Sequence, residues 1–180
     1  MTEEQATQDN SKLKLILGGS IASVLAAGVI GFLVYSSICP CDRTPGGFLF
    51  GDDSDGQVND WSFANNVELC QLQIYDGIRP HSINLNCMAT PEGEMYLSCS
   101  VCDTKYWAAR VGENERGVMR LDGVVYPVYL NRIIDPATMD RAWQARVTKL
   151  QIHGGPGNPA PPTNAPRADR WWTFQVTSRG

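Results

Sequence analysis

At 180 residues the chain has room for one folded domain and an anchor, but not for two full domains. A net charge of -4, from 15 basic and 19 acidic side chains, supplies no basic face for a nucleic acid. The composition averages two unlike parts, an uncharged apolar stretch near the start and a polar remainder punctuated by Gly and Pro.

Residues 1–14 read as a short polar tail. From Leu15 to Ile38 follow 24 residues without a charge, LILGGSIASVLAAGVIGFLVYSSI. At ~1.5 Å per residue this is about 36 Å of helix, enough to cross a hydrocarbon layer of ~30 Å with some tilt. A cleaved signal peptide would have an apolar core of roughly 7–15 residues ending in a small-residue site. This run is longer, and Ile38 before Cys39 suits neither signal nor lipoprotein processing. We therefore expect a retained single-pass helix in a lipid bilayer. Lys12 and Lys14 flank its start and only Arg43 follows closely, which predicts a cytoplasmic N-terminus and a periplasmic domain at the inner membrane. Gly19, Ser23, Ala27 and Gly31 recur every fourth residue, so they share a face on which a second transmembrane helix can approach closely. That helix belongs either to a second copy or to another protein.

Residues 39–59 are rich in turn formers and acids and read as a linker; the domain is expected over 60–180. Val67 to Tyr75, Ser82 to Ala89 and Glu94 to Ser100 alternate apolar and polar residues, predicting an antiparallel meander with one buried side. Asp76-Gly77 is a hairpin signal, and Asp122-Gly123 repeats it between strands at 117–121 and 124–134. Thr104 to Val111 reads as a short helix. Asp135-Pro136 places an N-cap and a first-turn proline ahead of Met139, Ala142, Trp143, Val147 and Leu150 at helical spacing. The segment 153–168 is too rich in Pro and Gly for regular structure. It is either a surface excursion or a strap on a neighbouring subunit. Arg170 to Ser178 closes the chain as an aromatic strand. The class is α+β: one transmembrane helix, then a small antiparallel barrel-like sheet with one or two helices.

This order of elements resembles the split barrels of the pyridoxamine-phosphate-oxidase-like and deazaflavin-dependent nitroreductase families over roughly residues 60–178. The residues carrying the resemblance are Arg79-Pro80-His81, Gly93-Glu94-Met95-Tyr96-Leu97, Lys105-Tyr106-Trp107, Arg120-Leu121-Asp122-Gly123, and Trp171-Trp172-Thr173-Phe174. The resemblance implies a dimerising barrel with a flavin mononucleotide or deazaflavin near the subunit interface. By position, Arg79 and Lys105 would contact the phosphate, and His81, Ser98, Ser100 and Trp107 would line the ring site. The chain departs from these families in lacking the Gly-Arg-Lys-Ser-Gly-like loop and the Arg-Gln-rich phosphate segment.

Six cysteines in a domain expected outside the cytosol point toward disulfides. Strand parity, however, puts Cys70, Cys87 and Cys99 on apolar faces, where buried free thiols are also expected. Cys39 and Cys41 flank Pro40 and are candidates to reach Cys99 or Cys102. Without further Cys or His at ligand spacing, no metal site is expected. No catalytic constellation surrounds His81 or His153. Two functions follow. The first is an accessory, non-catalytic subunit of a membrane complex; the alternative is a membrane-anchored flavin- or deazaflavin-dependent oxidoreductase.

Overall fold

The structure, a computed structural model, describes residues 3–180, with side chains from Lys14 onward except those of Leu15, Ser36 and Ser37. The Lys12 side chain, which carries half of the lysine bias, lies outside this set. The chain divides into two compact units, residues 1–38 and Cys39–Gly180.

The first unit is a single helix, α1, spanning Glu3–Ile38, so the segment read as a tail continues the helix. Within it Ile16–Tyr35, with mean hydropathy 2.1, is long and apolar enough to cross a membrane. The two serines of this stretch are satisfied locally. Ser20 Oγ donates to the Ile16 carbonyl and Ser23 Oγ to the Gly19 carbonyl, each at 2.9 Å, which removes the cost of bare hydroxyls in lipid.

The second unit is built on eight strands: β1 Asp52–Asp53, β2 Cys70–Asp76, β3 Arg79–Leu85, β4 Cys87–Ala89, β5 Met95–Cys99, β6 Glu115–Leu121, β7 Val124–Ile133 and β8 Trp172–Ser178. They form a curled antiparallel half-barrel in the order β3-β2-β6-β7-β8-β5-β4, with β1 added in parallel to β7. This is the split-barrel type of sheet that the resemblance implies. Leu72, Ile74, Leu97, Met119, Leu121 and Phe174 fill its interior. Both predicted hairpins form. Gly77 takes a φ of 60° at the first of two loop positions, and Asp122 and Gly123 take 47° and 85°, the left-handed pair that a two-residue loop of this kind needs.

The expected meander does not form. Its middle strand breaks at Asn86 into β3 and β4, which lie at opposite ends of the strand order. Ile83, Leu85 and Cys87 alternate the same way whether a strand continues or changes partner, so parity alone could not show the break. The helix expected over 104–111 is instead two three-residue 3-10 turns, Cys102–Thr104 and Ala108–Arg110. Val101, in the left-handed region at φ 53°, turns the chain ahead of them.

The helix α2, Pro136–His153, packs across β4 and β5. Asp135 caps it, accepting from Thr138 N at 2.8 Å and from Thr138 Oγ1 at 2.7 Å; these bonds hold the Asp135 carboxyl below its usual range. Ala142 and Ala145 meet Met88 and Tyr96 in a small second core. The predicted apolar stripe is present, yet Arg146 and Lys149 are buried with it.

Two irregular segments are tied to this framework. Residues 39–53, within the stretch 39–59 read as a linker, are part of the folded unit. Gly46 and Ser82 exchange backbone hydrogen bonds at 2.8 and 3.0 Å, and Leu49 N donates to Gln73 Oε1 at 2.6 Å. A Cβ on Gly46 would collide with the Cys39 carbonyl, so this contact requires glycine. The segment 154–168 forms a strap along α2 of its own chain: Trp143 Nε1 donates to the Ala165 carbonyl at 2.7 Å and Gln151 Nε2 to the Pro161 carbonyl at 2.8 Å.

All six cysteines pair, as Cys39–Cys41, Cys70–Cys87 and Cys99–Cys102. Cys70, Cys87 and Cys99 are buried as parity predicts, but bonded rather than free. Cys39 and Cys41 join each other instead of reaching Cys99 or Cys102.

Candidate functional site

Alternation along β5 decides which side chains reach the site. Met95, Leu97 and Cys99 belong to the barrel interior. Tyr96 and Ser98 therefore stand on the opposite face, under α2. On α2, Ala142 and Arg146 are four residues apart and share the face turned to the sheet. Ser98, Ser100, Lys105 and Trp107, four of the six predicted site residues, line one cleft of about 460 Å³ with Arg146 and the strap.

The cleft holds an unusual electrostatic arrangement. Arg146 is 6% exposed, yet none of the ion pairs among the described residues involves it. Its Nη2 donates to Asn158 Oδ1 of the strap at 2.6 Å and its guanidinium sits 4.6 Å from the Trp171 ring centre. Its Nε has no partner. Burial lowers its pKa to about 10. Ser98, 8% exposed, also has an unpartnered hydroxyl. Lys105 stands nearer the solvent, and its ammonium is pushed below the usual range by burial first and by Arg146 second. Asp42 and Glu68 line the rim as exposed carboxylates. Arg146 and Ser98 both line this cleft, and each carries a buried polar atom without a partner. Such a set suits an oxyanion.

Two predicted residues fall elsewhere. Arg79 and His81, at the start of β3, do not line the cleft. They join a surface cluster with Asp76, Tyr106 and Arg110. There the Tyr106 hydroxyl donates to Asp76, Arg110 Nε pairs with Asp76 Oδ2 at 3.3 Å, and the Arg110 guanidinium covers the Tyr106 ring at 3.4 Å. The hydrogen bond from Tyr106, then that from Arg110, lowers the Asp76 carboxyl, and the same Tyr106 bond raises the phenol. His81 packs on Tyr106 with ring centres 4.7 Å apart, and burial, then the Arg79 charge, lowers its imidazole. Hairpin register explains the separation, because Arg79 is paired directly with Asp76 at the turn of β2 and β3. Trp107 reaches the cleft only at its edge; it is 5% exposed and packs on Phe174 with centroids 4.9 Å apart. It is a core residue first.

The residues that sequence reasoning missed are Arg146, Asn158 and Trp171. Arg146 lies at helical spacing on the apolar stripe, beside Trp143, Val147 and Leu150. A charge at such a position was the available signal. Lys149 is a second such charge, 2% exposed, but it is spent on structure. Its Nζ donates to the Ala64 and Cys87 carbonyls at 2.8 and 2.6 Å, tying α2 to the sheet.

No family model and no curated protein matches the chain. Among solved structures it is similar to a pyridoxamine 5'-phosphate oxidase candidate from Listeria innocua, with a TM-score of 0.44 and 10% identity over 66% of this chain and 89% of the other. It is also similar to a NimC/NimA family protein from Clostridium acetobutylicum, with a TM-score of 0.43 and 13% identity over 65% and 78%. The FAD binding protein of Mycobacterium smegmatis gives 0.40 and 9% over 67% and 88%. No residue role is transferred from any of them.

Proposed function

We propose that this chain is a membrane-anchored split-barrel domain that binds a phosphate-class anion in the cleft between β5, α2 and the strap. The observation that carries this reading is the buried Arg146, in no ion pair among the described residues and with its Nε unpartnered, lining the same cleft as Ser98, whose hydroxyl is also unpartnered. A buried cation without a counter-charge costs several kcal/mol, and an incoming oxyanion removes that cost. Three disulfides and the lysines ahead of the apolar stretch of α1 support placing the domain on the periplasmic side of the inner membrane, with the N-terminus in the cytoplasm.

A flavin or deazaflavin mononucleotide is the cofactor that the split-barrel resemblance implies. Its phosphate end fits: Lys105 and Arg146 supply charge, and Ser98 and Ser100 supply hydroxyls. The ring end does not follow the expected plan, because Arg79 and His81 are outside the cleft and Trp107 is held in the core. Trp171 is the aromatic wall that remains. When bound, such a cofactor supplies hydride or single-electron transfer. The chain's own residues bind and desolvate the phosphate.

The accessory-subunit reading is compatible with this one and rests on a different observation. Along α1, Gly19, Ser23, Ala27 and Gly31 share a face of small side chains, and the Ser23 hydroxyl is already satisfied within the helix. A partner helix would pack there by close van der Waals approach.

Titration calorimetry of the whole chain in mild detergent separates the cofactor cases. Flavin mononucleotide should bind and riboflavin, which lacks the phosphate, should bind at least about tenfold more weakly. Equal binding of the two would overturn the anion reading.

A further inference from the structure

Almost no free chain separates the apolar stretch from the folded unit. α1 runs from Tyr35, the last residue of that stretch, to Ile38, a rise of about 5 Å, comparable to the thickness of one headgroup layer. Cys39 follows directly and is already buried in the second unit. The Pro40 carbonyl accepts from Gln71 Nε2 at 3.4 Å and from Asn84 Nδ2 at 3.3 Å, and Asn84 Nδ2 also donates to the Asp42 carbonyl at 3.0 Å. β2 and β3 therefore grip the chain as soon as it enters the domain.

The same entry point sets the position of two aromatic rings. Gly46 lies so close to Cys39 that a Cβ on it would meet the Cys39 carbonyl. Phe48 and Phe50 follow shortly after, with Cα atoms at most about 7 and 14 Å from that of Gly46. Between them Leu49 is buried, and its N–H is held by Gln73 Oε1. Burial alternates along this extended segment, so both phenyl rings point outward. They are 48% and 58% exposed, with ring centres 6.1 Å apart. A chain of hydrogen bonds ties Phe50 back to the entry point. Arg120 Nη1 donates to the Phe50 carbonyl at 2.7 Å, Arg120 Nε donates to Gln71 Oε1, and Gln71 Nε2 donates to the Pro40 carbonyl. The sheet residues that hold the segment, Gln71, Gln73 and Arg120, are polar, and its aromatic side faces away from them.

Resting on the membrane-anchored reading above, we propose that Phe48 and Phe50 form a lipid-docking surface, inserting both rings at the headgroup and acyl boundary of the bilayer that holds α1. The covalent tether selects this occupant. The lipid surface lies at the domain's own point of entry, so it meets the rings at a high effective concentration that no freely diffusing partner has. Aromatic rings at that depth exchange water for the acyl boundary. The exposed Asp52 and Asp53 follow Phe50, so the insertion is apolar rather than electrostatic, and a zwitterionic bilayer suffices. The rings give the domain a second hold on the membrane besides its helix.

The test uses the full chain in phosphatidylcholine nanodiscs. All six native cysteines are bonded, so Tyr35→Cys, Phe48→Cys, Phe50→Cys and Ile78→Cys each supply a single free thiol for a nitrobenzoxadiazole label. All four positions are exposed, which leaves the core intact. Tyr35 is the lipid reference, and Ile78, at the turn after β2, is the solvent reference. Labels at positions 48 and 50 should be quenched by nitroxide-bearing lipid, as at 35, and at least about threefold less by iodide than at 78. Adding Phe48→Asp to the chain labelled at position 50 should restore most of the iodide quenching; a label that stays protected would contradict the proposal. If position 35 is lipid-quenched while 48 and 50 match 78, the docking surface is refuted and the span stands. If iodide reaches 35 as readily as 78, the span and the docking surface fail together. If 48 and 50 are shielded from both quenchers, a protein surface covers them and the lipid assignment is wrong.

Discussion

Replacing Arg146 by Met separates a binding residue from a structural one. Burial of this guanidinium lowers its pKa to about 10, a penalty of about 3 kcal/mol on the charged form. The sign follows from the direction. The folded state disfavours the protonated form, so at neutral pH the full penalty is present in the unliganded protein. Methionine removes it, together with the Asn158 hydrogen bond and the stack on Trp171, worth about 1 kcal/mol each. The variant without ligand should therefore be as stable as the parent or up to about 1 kcal/mol more stable, a Tm rise of about 0–3 °C. Ligand at about 100 times its Kd should add about 2.7 kcal/mol to the parent, or about 8 °C, and almost nothing to the variant. Differential scanning fluorimetry in detergent, with and without phosphate, reads both effects. A variant that loses several degrees while keeping the full phosphate shift would show that Arg146 is structural, and the reasoning would fail.

Lys149, whose pKa burial pushes down to about 8, binds its proton less readily in the folded state than in the unfolded chain. Stability should thus rise as pH rises from about 8 toward 10.5, and Lys149→Met should flatten that rise in denaturant titrations. The Cys70–Cys87 bridge closes a loop with a sequence separation of 17, so Cys70→Ser with Cys87→Ser should cost about 3 kcal/mol by chemical denaturation. Gly19→Leu with Ala27→Leu should abolish any association through α1, read by crosslinking in membranes, while leaving phosphate binding unchanged; persistent association would remove the packing role of that face.

The sequence shows α1, both hairpins and α2 because each rests on local chemistry: an uncharged run, left-handed Gly positions, an Asp-Pro start. The break at Asn86 is hidden because alternation keeps its phase through a change of partner strand. The segment 39–53 resembles a linker because its ties to the sheet include backbone bonds at Gly46 and Leu49, which leave no side-chain pattern. Four of the six expected site residues, Ser98, Ser100, Lys105 and Trp107, fall in one cleft because they follow one another along one strand and the turn after it. Arg79 and His81 lie apart from that cleft because the β2–β3 turn holds them beside Asp76, which depends on pairing between strands. Arg146 was overlooked because a cation on an apolar stripe reads as an interruption until its surroundings are known.

A phosphorus NMR titration of the intact protein with inorganic phosphate tests the anion site most directly. Saturable broadening or shift of the phosphate resonance is expected for the parent, and it should disappear in Lys105→Gln with Arg146→Gln. A resonance that never saturates with the parent, or that behaves identically with the double variant, would contradict the assignment.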